Sequence, residues 1–365
     1  MVIHVTEMEK RMLWRHGLRQ HIGGRRNQLF SQQDQGMTIL YDLCGIGNAI
    51  TDVLAKVSFD FLEAQGLVAG SMTLIDEDRV KTLRDAVQVE CETGGGSAAN
   101  TCVTAAQLGA RVAYLGKVSG DTAGNAFSDD MRGCGVTFPS KPLDGRLGAN
   151  LATASCIVLI TPDGQRTMCT YLGACTQFSP EDVLPDVIAS SSIVYLEGYL
   201  FDPPHAQEAF RRAATLAHNA GRQVSLSLSD PFCVGRHRDA FLDLIKGHID
   251  ILFANENEIC ALYQTDAFET AARHVAEDTT FAALTRSEQG SVVIRGGERV
   301  DVAPVPTQVV DTTGAGDAYA AGFLTGLTSN RSLEECGRLA SLAASEVISH
   351  YGARPLSNPW KDAGF

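Results

Sequence analysis

The chain has 365 residues, of which 44% are hydrophobic and 20% charged, and its formal net charge is -13. That length can bury a large core in one large or two ordinary domains, and the negative balance argues against a general nucleic-acid binder. No uninterrupted apolar stretch approaches the length of a bilayer-spanning helix. The ten cysteines are scattered without a C-x-x-C pair, so free, mostly buried thiols in a reducing cytosol are expected rather than a disulfide scaffold or zinc site.

The first 36 residues hold six Lys or Arg against three acids, with Gln and Arg clusters and little periodicity. No apolar segment follows these charges, which excludes a secretory signal, and Glu7, Glu9 and Asp34 count against a transit peptide. Residues 1–36 therefore read as a disordered extension ahead of a compact domain at 37–365.

From Tyr41 onward, short apolar runs alternate with helical patterns, which predicts an α/β fold. Strand-like runs are Tyr41–Ile46, Val112–Val118, Ser192–Leu196, Gln223–Leu228, Ile249–Phe253 and Ser291–Arg295. Helix-like segments are Ser97–Leu108, Ala206–Ala220, Asp239–Lys246, Glu256–Tyr263, Phe268–Glu277 and Leu333–Ser349. The later strands read as buried and parallel with helices between them. Residues 150–174 break the alternation: Ala152–Ile160 and Arg166–Leu172 flank the turn Thr161–Gln165, a β-hairpin pattern. Together with the extended piece Thr51–Val57, this hairpin is expected to form a small β-lid over one end of the sheet.

The segment Asp311-Thr312-Thr313-Gly314-Ala315-Gly316-Asp317 follows an extended, Pro-punctuated run from Val302 to Val310 and leads into the helix-like stretch Ala318–Leu327. A glycine-rich turn at a helix start aims free backbone N–H groups at one point, and the helix dipole favours an anion such as phosphate there. A carboxylate beside such a cradle, Asp317, is electrostatically costly unless it handles a proton or a metal. The simplest reading is a general base next to a transferring phosphoryl group. A second glycine run, Gly94-Gly95-Gly96-Ser97-Ala98-Ala99-Asn100, lets backbone approach a ligand closely at another helix start. The run Gly45-Ile46-Gly47-Asn48 lacks the third glycine of a dinucleotide fingerprint, because Ile50 takes its place. The chain has no P-loop and no D-F-G motif of the protein kinases. Arg166, in the hairpin, is open to two readings: a surface strand cation, or a guanidinium covering developing phosphate charge.

The two glycine-rich motifs resemble the signatures of the ribokinase-type (PfkB) family of sugar and nucleoside kinases, over roughly residues 40–355. The resemblance implies a ribokinase-like α/β fold: a mostly parallel central sheet with helices on both faces, plus the β-lid. It implies Asp317 as catalytic base, the N–H groups of Gly314, Ala315 and Gly316 as an anion hole, and Arg166 as a lid arginine. Gly95 and Gly96 would flank the acceptor and hinge the lid, and Asn100 would hold an acceptor hydroxyl. Asn48 and Asp52 match positions that bind the acceptor sugar, and the two oxygens of Asp52 suit vicinal hydroxyls. Asn255 and Glu258 match an Asn-x-x-Glu motif that organises Mg2+ through its waters. Asn255, Thr285, Gly290, Gly314 and Gly316 would contact ATP; Ser287 stands where the family has the middle glycine of Thr-x-Gly-x-x-Gly. Asp311, with carbonyls near Gly352, matches a potassium position.

Ser225–Phe232 and Ile249–Glu258 resemble the adenosine kinase subgroup of that family. There Tyr199 matches a ring that packs on the purine, and Ile50, Thr153 and Met168 match other positions lining the base; aromatic and aliphatic walls suit a flat heterocycle. The expectation is an ATP- and Mg2+-dependent cytoplasmic kinase acting on a primary hydroxyl of a small molecule, adenosine first, with no nucleic-acid or membrane partner, as a monomer or homodimer. A sugar kinase of the same fold, acting on ribose, fructose or a related compound, is the alternative. A catalytically silent nucleoside-binding regulator is a third reading, and the intact Asp317 loop argues against it.

Overall fold

The apolar runs of the sequence become the inner strands of a sheet covered on both faces. The computed structural model describes residues 38–143 and 151–365; the extension expected at 1–36, together with Met37 and Asn150, lies outside the described residues. In chain order the strands are β1 (Tyr41–Ile46), β2 (Ile50–Lys56), β3 (Met72–Leu74), β4 (Val89–Gly95), β5 (Val112–Leu115), β6 (Val136–Thr137), β7 (Ala154–Ile160) and β8 (Arg166–Tyr171). They continue with β9 (Ser191–Glu197), β10 (Gln223–Ser227), β11 (Ile251–Asn255), β12 (Phe281–Thr285), β13 (Ser291–Arg295) and β14 (Glu298–Val302).

Nine strands form the central sheet in the order β14-β13-β12-β11-β10-β9-β1-β5-β6. The pairs from β6 to β12 are parallel. The expectation that all later strands are parallel fails at β13 and β14, which pair antiparallel. Only Gly296-Gly297 separates them, and a parallel return needs a crossover of a dozen or more residues. The Val302–Val310 run is a strand only to Val302. Beyond it, Pro304 and Pro306 remove two N–H donors, so the segment cannot continue as a paired strand.

One apolar cluster fills the face under helices Pro204–Asn219, Pro231–His248, Glu256–Tyr263 and Phe268–Asp278. Another fills the opposite face under helices Ser97–Gln107, Thr122–Gly133, Ala315–Thr328 and Leu333–Val347. Side chains buried this completely contribute roughly 1.5–3 kcal/mol each relative to exposure. The strand order reverses around β1, with β5 and β9 on its two sides. Ligands of open α/β sheets bind at the carboxyl ends of strands at such a reversal, and the β1–β2 loop carrying Asn48 lies there.

The lid is larger than the two expected segments. It is a five-stranded sheet, β3-β8-β7-β2-β4. Helices Phe59–Ala64 and Glu77–Ala86 back one face around Val53, Ala55, Ile157 and Leu159. Register puts Asp52, Cys156 and Thr170 side by side on the other face, with Leu54, Val158 and Met168 in the next row. β3 and β4 escape the sequence pattern because β3 has three exposed residues and most of β4 is polar and exposed.

Two helices carry the site loop and stand unusually close. A side chain at Gly322 would come within 2.6 Å of the Ala340 Cα of the facing helix. Gly322→Val should therefore force helices Ala315–Thr328 and Leu333–Val347 apart. Overpacking of this kind costs about 1–3 kcal/mol and should lower the Tm by about 2–6 °C; an unchanged Tm would mean the contact is not close-packed.

Candidate active site

The Asp311–Asp317 loop is organised from its first residue. Asp311 Oδ1 accepts from Thr313 N–H (3.1 Å) and Thr313 Oγ1 (2.7 Å), and Oδ2 accepts from Gly352 N–H (3.1 Å). Gly314 caps helix Ala315–Thr328 with a φ of 79°, and the Ala353 backbone occupies the space of any side chain there. Of the three amides expected in the anion hole, Gly314 and Gly316 have no acceptor among the described residues, but Ala315 N–H donates to Thr312 O at 3.2 Å. Ala315 is thus tied into the turn. The Asp317 N–H, also without an acceptor among the described residues, takes its place among the free donors of the helix start.

Asp317 is half-buried at that helix start. Its Oδ1 accepts from Ser97 Oγ at 2.6 Å and its Oδ2 faces Asn100 Nδ2 at 3.5 Å. Burial lifts the carboxyl to about 6, against these two donors.

The second glycine run brings the lid carboxylate to the same place. A side chain on Gly95 would overlap the Asp52 carboxylate, and one on Gly96 (φ 96°) would overlap the Asn48 carbonyl. Among the described residues none donates a hydrogen bond to Asp52, which leaves both oxygens for a ligand. Burial holds its carboxyl at about 6, against the pull of Arg354 and Arg166. Asn48 does not offer its side chain freely: its N–H and Nδ2 both donate to Glu197 Oε1, at 3.2 and 2.8 Å. Glu197 Oε2 accepts from Ala98 N–H at 2.7 Å. This carboxylate, 1% exposed, is lifted to about 7 by burial despite those three donors. It ties the β1–β2 loop to the start of helix Ser97–Gln107. The sequence reading missed it; the one available signal was an acid ending an otherwise apolar strand.

Tyr199, 40% exposed, follows β9, and partial burial, reinforced by the fields of Asp230, Asp317, Glu258 and Glu197, pushes its hydroxyl up. Ile50 and Met168 are half-buried on the lid strands. Thr153 is buried, and its hydroxyl is taken up by Asp121 (2.6 Å) and Ser119 N–H (3.0 Å). Its methyl group is all it has left for a ligand.

Asn255 and Glu258 form a closed capping box. Glu258 accepts from Asn255 N–H (2.9 Å) and Nδ2 (2.6 Å), while its own N–H donates to Asn255 Oδ1 (2.9 Å). Burial raises Glu258 to about 7, helped by the charges of Asp230 and Asp317. Among the described residues no group of three acids, histidines or cysteines could hold a metal directly. The residues fit Mg2+ only through its waters, in a field of four acids that favours a cation. Thr285 ends β12, opposite Asn255 and Ser291. Ser287, at the family's glycine position, adopts a φ of 49°, the left-handed conformation that a glycine would take without strain. Gly290 closes the turn, its O accepting from Arg286 N–H at 2.8 Å.

Arg166 reaches from β8 to the Asp311–Asp317 loop. Its Nη2 lies 2.6 Å from Asp311 Oδ2, and its Nε is buried without a hydrogen-bond partner among the described residues. The position expected for a monovalent cation at Asp311 is therefore met by a guanidinium, with both carboxylate oxygens already taken. Arg354, absent from the expected site residues, spans Asn100 and Asp130 (3.0 and 2.7 Å).

Free N–H groups at the start of helix Ala315–Thr328 lie beside the half-buried Asp317 carboxylate, an arrangement that suits an anion such as phosphate. The chain belongs to the pfkB family of carbohydrate kinases, whose model matches residues 66–361, and its fold is ribokinase-like. It is 28% identical over 339 residues to an adenosine kinase of Saccharomyces cerevisiae, covering 86% of this chain and 97% of that one. Among solved structures it is similar to an adenosine kinase from Sinorhizobium meliloti, with 50% identity, a TM-score of 0.81, and 89% and 99% of the two chains covered. A probable sugar kinase from Rhizobium etli CFN 42 gives 44% identity and a TM-score of 0.82 over 90% and 99%. The chain is a phosphotransferase of the nucleoside and sugar kinase class. No helix among the described residues is long and apolar enough to cross a membrane.

Asp52, Glu197, Glu258 and Asp317 all sit at about 6–7 in the folded protein. A folded-state pKa above the unfolded one adds stability that is full below about pH 4 and lost as pH rises through about 6–7. Carboxylates held low, such as Asp42 and Asp121, have finished titrating below this window. The Tm should therefore fall between about pH 5 and pH 8, and Glu197→Gln should flatten part of that fall. A Tm that rises over this range would show that these acids titrate normally.

Proposed function

We propose that the chain transfers the γ-phosphoryl group of ATP to the 5′-hydroxyl of adenosine, as a cytoplasmic enzyme of purine salvage. One observation carries the reading. The glycine-rich helix start touches both carboxylates, with Gly95 against Asp52 and Ser97 hydrogen-bonded to Asp317. A ribose whose vicinal hydroxyls bind Asp52 then has its 5′-carbon directed toward Asp317. The adenosine kinases among the relatives support the acceptor, and the exposed Tyr199 ring offers a face for the base.

Asp317 takes the proton from the acceptor hydroxyl. A base with a pKa of about 6 is largely ionised at neutral pH, yet basic enough to help. The N–H groups of Gly314, Gly316 and Asp317 would hold the γ-phosphate oxygens. Arg166, through its Nε, which has no partner among the described residues, would cover the charge that develops on them. Bound Mg2+ would neutralise phosphate charge, its waters held by Asn255 and Glu258. The lid strands exclude water from the transfer and so limit ATP hydrolysis.

Asp317→Asn should lower kcat by about 10²–10⁴-fold with little change in KM; a variant keeping half its kcat would remove Asp317 from the mechanism. In an acceptor panel with ATP and Mg2+, adenosine should give a higher kcat/KM than ribose or fructose. Tyr199→Ala should cut the adenosine value by about 5- to 150-fold, the worth of one base stacked on an aromatic ring, and spare ribose. A wild-type preference for ribose or fructose would replace the nucleoside reading with the sugar-kinase one.

A further inference from the structure

Arg354 enters the site from the far end of the chain, 254 residues from the asparagine it contacts. Its Nε donates to Asn100 Oδ1 at 3.0 Å, its Nη1 donates to Asp130 Oδ2 at 2.7 Å, and its Nη2 is buried without a partner among the described residues. Gly94 makes room for it, since a side chain there would fall 3.0 Å from Nη2. A guanidinium has donors only, whereas the two ends of an amide differ. Facing Arg354, Asn100 must present oxygen, so its NH2 group must face Asp317, 3.5 Å away. The flipped amide would set N–H against N–H on one side and oxygen against a carboxylate on the other. The contact with Arg354 therefore decides which end of Asn100 the catalytic cleft sees.

We propose that Arg354 is a positioning residue that locks the Asn100 amide, so that Asn100 can only donate toward Asp317 and the acceptor hydroxyl. The inference rests on Asp317 being the base. Donation to the ionised form opposes the burial that makes this carboxylate hard to ionise. Ser97, on the same helix as Asn100, also donates to Asp317, at 2.6 Å, whereas Glu197 and Tyr195 from β9, Tyr199 after it, and Glu258 from helix Glu256–Tyr263 are acids or phenols that oppose ionisation when charged. Arg354 also acts on Asp52. Asp52 belongs to acceptor binding and is read in KM, so kcat separates the two effects.

The test is the pH dependence of kcat at saturating acceptor. Arg354→Met should move the acid limb upward by about one unit, the loss of one long charge-assisted hydrogen bond, with kcat recovering at alkaline pH. Arg354→Lys, still a donor-only cation, should keep the wild-type limb. Asp130→Asn should lower the Tm and leave the limb in place, because it removes the brace but not the Asn100 contact. If Arg354→Met does not fold, Arg354→Gln gives the same reading, since its amide can accept as well as donate and no longer fixes the Asn100 oxygen toward it, and it should move the limb upward. A uniform loss of kcat with the limb unmoved, or a lysine variant that behaves like methionine, overturns the proposal. Failure of the base assignment is distinguishable: Asp317→Asn would then keep its turnover, which sinks both ideas, whereas its collapse beside an unmoved limb in Arg354→Met sinks only the role of Arg354.

Discussion

A buried carboxylate with no counter-ion among the described residues holds this site together. Glu197 takes three N–H donors from two chain segments, the Asn48 loop and the start of helix Ser97–Gln107. The β1–β2 loop and the glycine-rich helix are otherwise separate elements at the ends of different strands. Their relative position decides where Asp52, Asn100 and Asp317 meet. Hydrogen bonds to a buried charge are strong in a low-dielectric setting, and leaving any of them unmade is costly. The arrangement therefore has one well-defined geometry.

Close backbone approach is the second constraint. Gly95 and Gly96 leave no side chain between the lid carboxylate, the Asn48 carbonyl and the helix start. Gly314 lets the chain turn left-handed against Ala353, so the first free amides of helix Ala315–Thr328 face outward. The two helix starts converge on one cleft, and Ser97 from one reaches Asp317 on the other. Helix dipoles add favourable potential for phosphate at that point.

Charge is divided across the cleft. Asp230, Glu197, Glu258 and Asp317 lie on the sheet side and reinforce one another. Arg166 comes from the lid and Arg354 from the C-terminal segment, and both act on Asp52. An acid-rich wall calls for a cation, and an arginine lid calls for an anion. A metal–nucleotide complex satisfies both, which is consistent with a kinase of this family.

The elements readable from the sequence were those whose information is local. β1, helix Glu256–Tyr263 and helix Ser97–Gln107 follow from apolar runs, capping residues and a glycine entry, and the Asp311–Asp317 loop was legible as a tight turn into a helix because its glycines and the helix start are neighbours in the chain. β12 was missed because Phe281-Ala-Ala-Leu-Thr has few β-branched residues, and β3 and β4 because exposed lid strands carry no buried stripe. Tertiary structure alone decided the rest. It tied Ala315 N–H into a turn and freed that of Asp317, put Arg166 on Asp311, and brought Glu197 and Arg354 to Asn48 and Asn100 across 149 and 254 residues. A side chain's partner across such a distance is chosen by how strands and helices stack, and no local pattern records that choice.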